Sequence, residues 1–295
     1  MVKLVIQIPC YNEEQCLAST LRGIPRKIAG IDKIEILLIN DGSTDRSVEI
    51  AKENNVDEIL NLSHVGLSKA FAFGLRQSLS MGGDVIVNFD ADNQYKAEDI
   101  EKLVKPIVCS EADVVFGVRN IISNSSFSVW KKFLQVFGSF IVRLLTGSKV
   151  RDIPTGFRAF SREAAERLNV YNSYTYTVES VFQMEAEKMK IASVKIQTTD
   201  YDCRESRLMK NVGDYVLHQA GVILCMFTYY HPVKAAFLFT LLGYLLSAFV
   251  LFSFSEAMGW FSLTIVYLLI LFWVIIMIKL IRMTIGTLQE NKRDK

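Results

Sequence analysis

The stretch VNFDADNQY (residues 87–95) indicates which kind of fold the chain adopts. It begins with the apolar residues of a buried strand and ends with two acids, Asp90 and Asp92, one residue apart. Two carboxylates so close together disfavour each other's ionisation unless a positive charge or open water lies between them. The stretch therefore predicts a strand that ends in a polar loop, where the loop either binds a cation or faces solvent.

Strands and helices alternate on both sides of this stretch. Apolar strands are predicted at residues 4–11, 34–41, 58–63, 84–92 and 112–118, and helices at 13–28, 43–54, 66–79 and 97–108. Ser43 or Thr44 is the predicted cap of the second helix. Continuous apolar strands separated by helices are typical of an α/β fold with a mainly parallel, Rossmann-like sheet covered on both faces.

Three of the predicted strands end in polar clusters, which read PCYNEE, NDGSTD and DADNQ. Ligands of such sheets bind beyond the carboxyl ends of the strands, so the three clusters are expected to form one site. Neither GxGxxG nor GxxxxGK[ST] is present, and a bound diphosphate would need a metal and basic side chains instead. Asp90, Asp92 and the Gln94 carbonyl are oxygen donors that suit Mg²⁺ or Mn²⁺, with a plain solvated loop as the alternative.

The net charge and the cysteines argue against nucleic-acid-binding, zinc-binding and disulfide-rich proteins. The net charge of +2 gives no indication of nucleic-acid binding. The five cysteines form no CxxC pair and no cluster with histidine, which argues against zinc and against a disulfide framework and favours reduced thiols.

Two uncharged apolar runs lie near the C-terminus, at residues 235–255 and 259–278. Each has about 20 residues, which is enough to cross a bilayer as a helix. The open end of this predicted hairpin is flanked by six basic residues: Lys234, Lys279, Arg282, Lys292, Arg293 and Lys295. The positive-inside rule then predicts a cell-membrane protein with two spans, whose catalytic domain and both termini are cytoplasmic. A pair of buried core helices is the alternative.

These features divide the chain into four predicted parts: a catalytic domain at 1–210, a juxtamembrane amphipathic segment at 211–232, the transmembrane hairpin at 233–282, and a cytoplasmic tail at 283–295.

The motifs IPCYNEE, INDGSTD, FDADNQY, FGVR, DIPTGFRAFSRE and CRESRL occur in this order and are followed by the two apolar runs. Together they resemble the family 2 glycosyltransferases of GT-A fold, and within them the polyprenyl-phosphate glycosyltransferases such as dolichol-phosphate mannose synthases. The resemblance extends over residues 2–208. It implies a nucleotide-sugar donor, UDP- or GDP-linked, a dolichyl or undecaprenyl phosphate acceptor, a divalent metal, and inversion at the transferred sugar.

The resemblance also implies roles for individual residues. Base and ribose would be held by residues of the first two motifs: Pro9, Tyr11, Glu13, Ile39 and Asp41. Asp90 and Ala91 would lie against the ribose and diphosphate, and Asp90, Asp92 and Gln94 would bind the metal. Arg204 would contact the donor phosphates. Asp152, Asp90 and Arg119 are the predicted catalytic residues, and Arg119 and Lys131 the predicted partners of the lipid phosphate.

Several assignments stay open at this point. Relatives carry a lysine in an N-x-G-K-G loop, whereas this chain reads HVGLSKA, so a phosphate role for Lys69 is doubtful and His64 is expected to be a surface residue. Asp152 either acts on the sugar or pairs with Arg158 or Arg151. Glu179 either contacts sugar hydroxyls or caps its helix, and capping is favoured.

Residues 127–145 and 216–227 each carry an apolar stripe at helical spacing. The first is read as a core helix in preference to an interfacial one, and the second as interfacial.

Two other functions remain as alternatives to sugar transfer onto a lipid phosphate. A processive polysaccharide synthase would carry a QxxRW motif, but no arginine precedes Trp130, Trp260 or Trp273. A non-catalytic scaffold that binds nucleotide sugars is the second, although such proteins lose the metal-binding acids. Self-association is open, and a homo-oligomer is included among the expected partners.

Overall fold

The computed structural model describes residues 1–121, 129–172, 175–199, 212–254, 267–268 and 270–275. The chain separates into two compact units, Met1–Val222 and Ile223–Lys295. The first unit is an α/β domain built on a seven-stranded sheet.

The seven strands run in the order β3-β2-β1-β4-β6-β5-β7 across the sheet. Their bounds are β1 Lys3–Cys10, β2 Lys33–Asn40, β3 Glu58–Asn61, β4 Val85–Asn88, β5 Val114–Val118, β6 Arg158–Ser161 and β7 Ile191–Lys195. Strand β6 is antiparallel to both of its neighbours, and all other pairs are parallel. The prediction of a mainly parallel sheet is therefore confirmed.

The helices of the first unit are α1 Leu17–Gly23, α2 Ser47–Glu53, α3 Leu67–Ser80, α4 Ile100–Val108, α5 Val129–Thr146, α6 Arg162–Arg167 and α7 Tyr176–Ala186. A single 3₁₀ turn, Ala97–Asp99, precedes α4. Helix α8, Val212–Tyr230, continues into the second unit.

Apolar cores lie on both faces of the sheet, as the continuous apolar strands predict. On one face, Leu4, Ile6 and Ile8 of β1 pack with buried residues of α1 and α4. On the other face, Val5 of β1 packs with Ile39 and with Ala70 of α3. Successive residues of β1 point to opposite faces, so the strand must be apolar throughout.

The sequence did not indicate β6 and β7, because both are short and β7 alternates between half-buried and exposed residues. Helix α2 begins after Arg46, so Ser43 and Thr44 do not cap it. The Ser43 hydroxyl instead accepts the Asn12 N–H at 3.0 Å, which joins the loops after β1 and β2. Cys16 is disulfide-bonded, against the expectation of reduced thiols, because cysteine spacing does not show which distant residues meet in space.

The second unit contains the helix α9, Pro232–Phe254. Its segment Pro232–Phe249 is the one candidate membrane span among the residues that the structure describes. Of the second predicted span, only residues 267–268 and 270–275 are described, and they are helical. An added Cβ at Gly243 would lie 3.4 Å from the Trp273 ring, so this short segment lies beside α9. The predicted two-helix hairpin stays a prediction, as do its orientation and the four-part division of the chain.

Candidate active site

The polar clusters after β1 and β2 lie side by side at the carboxyl edge of the sheet. The Asp41 N–H donates to the Cys10 carbonyl at 2.8 Å, and the Thr44 N–H donates to the Asn12 side-chain oxygen at 2.7 Å. The Glu13 N–H donates to the Ser47 hydroxyl at 2.9 Å. Two stretches far apart in sequence thus form one polar surface, as expected for strand ends in a parallel sheet.

Asp41 holds the loop that leads into α3. Its two carboxylate oxygens accept the backbone N–H groups of Val65 and Gly66, at 2.6 and 3.0 Å. The His64 ring lies 3.3 Å from the same carboxylate and stacks on Tyr11 with ring centroids 4.1 Å apart. His64 is therefore a surface residue, as expected, and its ring also contacts Asp41 and Tyr11. Because Asp41 already accepts two backbone bonds, its contact with base or ribose stays a prediction.

Asp90 lies half-buried where β4 ends, next to Asp92. Burial and the Asp92 charge raise the pKa of Asp90 to about 7, while the Arg119 charge and a hydrogen bond from Tyr95 oppose the rise. The Asp92 carboxylate accepts the Gln94 N–H at 3.2 Å, which folds the loop back on itself. The Asp92 charge thus disfavours the ionisation of Asp90, as the DxD spacing predicts.

The charges of this loop fit a divalent cation, because a positive ion would offset both the burial and the Asp92 charge that raise the pKa of Asp90. Among the described residues, no group of three or more His, Cys, Asp or Glu stands together. Mg²⁺ at nucleotide sites is commonly held by one or two carboxylates and completed by substrate phosphates. Asp90, Asp92 and the Gln94 carbonyl match such a shared site better than a complete protein cage.

Gly156 lies directly against the Asp90 carboxylate. A Cβ atom built on Gly156 would lie 2.8 Å from both carboxylate oxygens of Asp90. The Gly156 carbonyl accepts the Asn88 side-chain N–H at 2.9 Å, and its own N–H donates to the Tyr95 hydroxyl at 3.3 Å. Gly156 is thus fixed from both sides, and only a residue without a side chain allows Asp90 its observed position.

A buried chain of amides supports this contact. Gln7 of β1 donates to the Asn88 side-chain oxygen at 2.9 Å, and Asn88 also donates to the Tyr176 hydroxyl at 3.2 Å. Both amides are fully buried. Sequence reasoning missed them, although a single polar residue inside each apolar strand, in LVIQIP and VIVNFD, was a signal.

Arg119 and Asp152 form a buried, two-pronged ion pair. Arg119 Nε lies 2.7 Å from Asp152 Oδ2 and Nη2 lies 2.9 Å from Oδ1, and the Arg119 backbone N–H donates to Oδ2 at 3.2 Å. The Asp152 side chain is 1% exposed and that of Arg119 is 8% exposed. The ion-pair partner of Asp152 is therefore Arg119, and not Arg158 or Arg151. The sequence did not indicate this ion pair, because Arg119 and Asp152 belong to different motifs.

Arg158 instead ties the segment after Asp152 to helix α7. Its guanidinium donates to the carbonyls of Thr155, Ile153 and Thr177 and to the Ser180 hydroxyl, at 2.6–3.0 Å. Burial lowers the pKa of this fully buried Arg158 to about 10, and several nearby groups oppose that effect.

Glu179 accepts the backbone N–H groups of Tyr171 and Asn172, both at 2.9 Å. It holds the segment before α7, whereas the Thr175 hydroxyl caps the helix.

A cavity of about 1010 Å³ opens beside the Arg119–Asp152 pair. One wall is a face of α5 that includes Phe133, Phe137 and Phe140. The other walls are the end of β5, the loop before Asp152 and strand β7. The cavity therefore combines an apolar wall with charged groups.

Helix α5 turns its aromatic residues outward. Trp130 is 73% exposed, and Phe133, Phe137 and Phe140 are about half exposed. Gln135 and Ser139 are buried instead, and the Ser139 hydroxyl accepts the Ile153 N–H at 3.3 Å. The stripe that was assigned to the core is thus largely solvent-facing, because short polar side chains make the contact with the Asp152 loop.

Six more residues complete the comparison with the sequence. Lys69 is exposed on α3, in keeping with a doubtful phosphate role. Lys131 lies on α5, but its side chain is outside the described part of the chain, and Arg204 is outside it altogether. Pro9, Ile39 and Ala91 are buried where β1, β2 and β4 end, next to the polar surface.

Two known proteins are similar to this chain in sequence. The UDP-N-acetylglucosamine–dolichyl-phosphate N-acetylglucosaminyltransferase of Methanococcus voltae is 29% identical over 218 residues, which cover 66% of this chain and 85% of that protein. The undecaprenyl-phosphate mannosyltransferase of Micrococcus luteus is 24% identical over 229 residues, covering 74% and 92%.

A similar fold occurs in glucosyl-3-phosphoglycerate synthase from Mycobacterium tuberculosis, solved with Mn²⁺ and UDP. Its TM-score is 0.57 at 18% identity, covering 78% of this chain and 80% of that chain, so the sheet has the GT-A architecture. The model of the glycosyl transferase family 2 domain matches residues 5–168, which is more than half of the chain. This chain is therefore a glycosyltransferase and belongs to glycosyl transferase family 2.

Proposed function

We propose that the chain transfers a hexose from a UDP- or GDP-sugar to the phosphate of a polyprenyl phosphate at a membrane, with inversion of the sugar. The names of the two relatives above, which act on dolichyl and undecaprenyl phosphate, support this proposal. A soluble acceptor would give no reason for a site beside an exposed aromatic helix.

The observation that carries the proposal is the composition of the cavity beside Arg119. A polyprenyl phosphate has an anionic head and a long apolar tail, and it needs both kinds of surface in one place. The cavity supplies the charged Arg119 and the phenylalanine side chains of α5 together. Arg119 also lies close enough to Asp90 to oppose the rise in its pKa, so acceptor and donor sites would adjoin.

The donor would bind at the polar surface after β1, β2 and β4. In this proposal the nucleoside lies near Tyr11 and Asp41, along the surface that Glu13 and Ile39 complete. Asp90, Asp92 and Gln94 would hold the metal. An ion at that position supplies positive charge against the negative charge that develops on the diphosphate leaving group.

The acceptor phosphate carries close to two negative charges near pH 7, so it needs no strong base to become a nucleophile. Its oxygen forms the new bond to the anomeric carbon as the bond to the nucleoside diphosphate breaks. Arg119, with Lys131 as a second candidate, would bind the acceptor phosphate. Asp152 is then a positioning residue, because both of its oxygens are occupied by Arg119.

The membrane arrangement belongs to the same proposal. Helix α9 supplies one candidate span, and the run at 259–278 would supply the second. A hairpin of this kind, with its basic flanks in the cytoplasm, would anchor the chain in the membrane. The exposed aromatic face of α5 supports that placement, since aromatic side chains favour the membrane–water interface.

The test is a transfer assay with the purified full-length chain, radiolabelled UDP- and GDP-sugars, a polyprenyl phosphate and Mn²⁺. Label should move into the lipid fraction with one of the donors and should stop when EDTA is added. Metal-dependent nucleotide binding without any transfer would instead favour the scaffold alternative. A labelled polymer that lengthens with time would favour the processive synthase.

A further inference from the structure

The cavity beside α5 carries more positive charge than Arg119 supplies. Four other basic side chains line it: Arg143 on α5, Lys149 and Arg151 in the following loop, and Lys195 on β7. Lys195 pairs in register with Val118, directly before Arg119, so one of the four lies at the Arg119 end of the cavity.

These four charges have no acidic partner within the described ranges. None of them forms an ion pair there, and the one carboxylate of the cavity wall, Asp152, is already occupied by Arg119. Arg143 Nε is moreover buried without a hydrogen-bond partner in that part of the chain. A buried donor without a partner carries a free-energy cost, and a ligand oxygen would remove it.

The acceptor phosphate alone does not balance this charge. A phosphate monoester carries about two negative charges near pH 7, which leaves about two of the four cations without a counter-charge. The remaining positive charge therefore favours a second anion in the cavity. A phosphodiester headgroup, with one negative charge, is of a suitable kind.

The aromatic residues beside the cations decide the source of that anion. The outer side of α5 exposes Val129, Trp130, Phe140 and Leu144, so apolar surface continues outward from the cavity. A dissolved anion would have no use for this surface. A lipid of the bilayer meets it with acyl chains while its headgroup reaches the cations.

We propose that Arg143, Lys149, Arg151 and Lys195 form a second anion-binding subsite, which takes the headgroup phosphate of an anionic bilayer phospholipid such as phosphatidylglycerol. This subsite shares its cavity with the proposed acceptor site. It does not depend on sugar transfer, so the two proposals can fail separately.

The experiment uses the full-length chain with Trp260→Phe and Trp273→Phe, which leaves Trp130 on α5 as the single tryptophan. The chain is placed in phosphatidylcholine nanodiscs in which a fixed minor fraction is either brominated phosphatidylglycerol or brominated phosphatidylcholine. Bromine quenches tryptophan fluorescence at short range, so the ratio of the two quenching signals reports which lipid gathers beside α5.

The test variant is Lys149→Gln, Arg151→Gln, Lys195→Gln, because these three side chains are exposed and their replacement spares the core. The matched control is Lys27→Gln, Lys52→Gln, Lys105→Gln, which removes equal charge from exposed positions elsewhere in the domain. The attraction of one Lys or Arg to an anionic membrane surface corresponds to about fivefold in binding. We expect quenching by phosphatidylglycerol to exceed that by phosphatidylcholine by at least about twofold in the parent and the control, and to equal it in the test variant.

Equal quenching by both lipids in the parent would overturn the proposal. Loss of the preference for phosphatidylglycerol in both the test variant and the control variant would also overturn it, because the preference would then be a general effect of charge. Loss of the preference on adding inorganic phosphate at constant ionic strength would also overturn it, since the site would then take dissolved phosphate. Sugar transfer is measured on the same samples. Lipid preference without transfer would refute only the proposed function, and transfer without lipid preference would refute only the subsite.

Discussion

Replacing Gly156 by alanine should lower the activity of this enzyme while the protein stays folded. The new methyl group would lie 2.8 Å from both carboxylate oxygens of Asp90. Ordinary contact of this kind begins near 3.4 Å, so a displacement of about 0.6 Å is required. Gly156 is held by Asn88 and Tyr95, and the Asp90 carboxylate is therefore the group that moves.

A shift of that size exceeds what metal binding and chemistry tolerate. Metal–ligand distances vary by about 0.2 Å around their ideal values, and a misplacement of about 1 Å at a reacting centre can cost about a hundredfold in rate. We expect Gly156→Ala to lower metal-dependent turnover by at least about tenfold, which corresponds to about 1.4 kcal/mol.

The domain should still fold, because a native domain is stable by about 5–15 kcal/mol. Gly156 does not have a positive φ, so alanine is compatible with its backbone. The gain from a stiffer unfolded chain is about 0.4–1 kcal/mol and the overpacking cost is about 1–3 kcal/mol, which partly cancel. Two quantities are measured: the melting temperature, and the initial rate of sugar transfer as a function of Mn²⁺ concentration.

The matched control is Gly23→Ala, where the nearest atom to the new methyl group is the Ala97 Cβ at 3.5 Å. This variant should keep its rate and its Mn²⁺ dependence. If Gly156→Ala also kept both, with an unchanged melting temperature, the position of the Asp90 carboxylate would not matter, and Asp90 would have to be removed from the proposed reacting centre.

Four further predictions concern charge and topology. Asp92→Ala should abolish metal-dependent donor binding with an unchanged melting temperature, and full activity of this variant in EDTA would contradict the metal site. Arg119→Ala should raise the apparent KM for lipid phosphate or lower turnover by at least about tenfold, because a charge-assisted hydrogen bond is worth about 1.5–3 kcal/mol. If only the affinity for the donor changed, Arg119 would be assigned to the donor diphosphate instead. Asp152→Asn should destabilise the fold by about 3–5 kcal/mol, since it removes the carboxylate that pairs with the buried Arg119 charge, and it should act on the KM for lipid. A fall in turnover at constant KM and unchanged melting temperature would instead make Asp152 a catalytic base. A cysteine at Glu256 should be labelled from the side opposite the catalytic domain, and labelling only from the cytoplasm would rule out the hairpin.

The sequence predicted the sheet and its polar edge because these depend on local patterns. Apolar strands that end in acids indicate both where a parallel sheet lies and where its ligands bind. The contact of Asp90 with Gly156 was harder to predict from the sequence, since Gly156 precedes an antiparallel strand that begins more than 60 residues later. A sequence pattern shows where a strand ends, but it does not show which residues from a distant part of the chain lie beside that end.

Helix α5 shows why the remaining error occurred and what it means for the site. Helical spacing identifies an apolar face, but it does not determine whether that face is directed to the protein core or to another apolar phase. Here the face with Gln135 and Ser139 is buried, because the Ser139 hydroxyl accepts the N–H of Ile153, the residue after Asp152. The bond that anchors α5 to the catalytic loop therefore also turns Phe133 and Phe137 outward. If the aromatic residues enter the membrane interface as proposed, α5 connects the bilayer mechanically to the loop that carries Asp152, and the acceptor can reach Arg119 with its tail still in lipid.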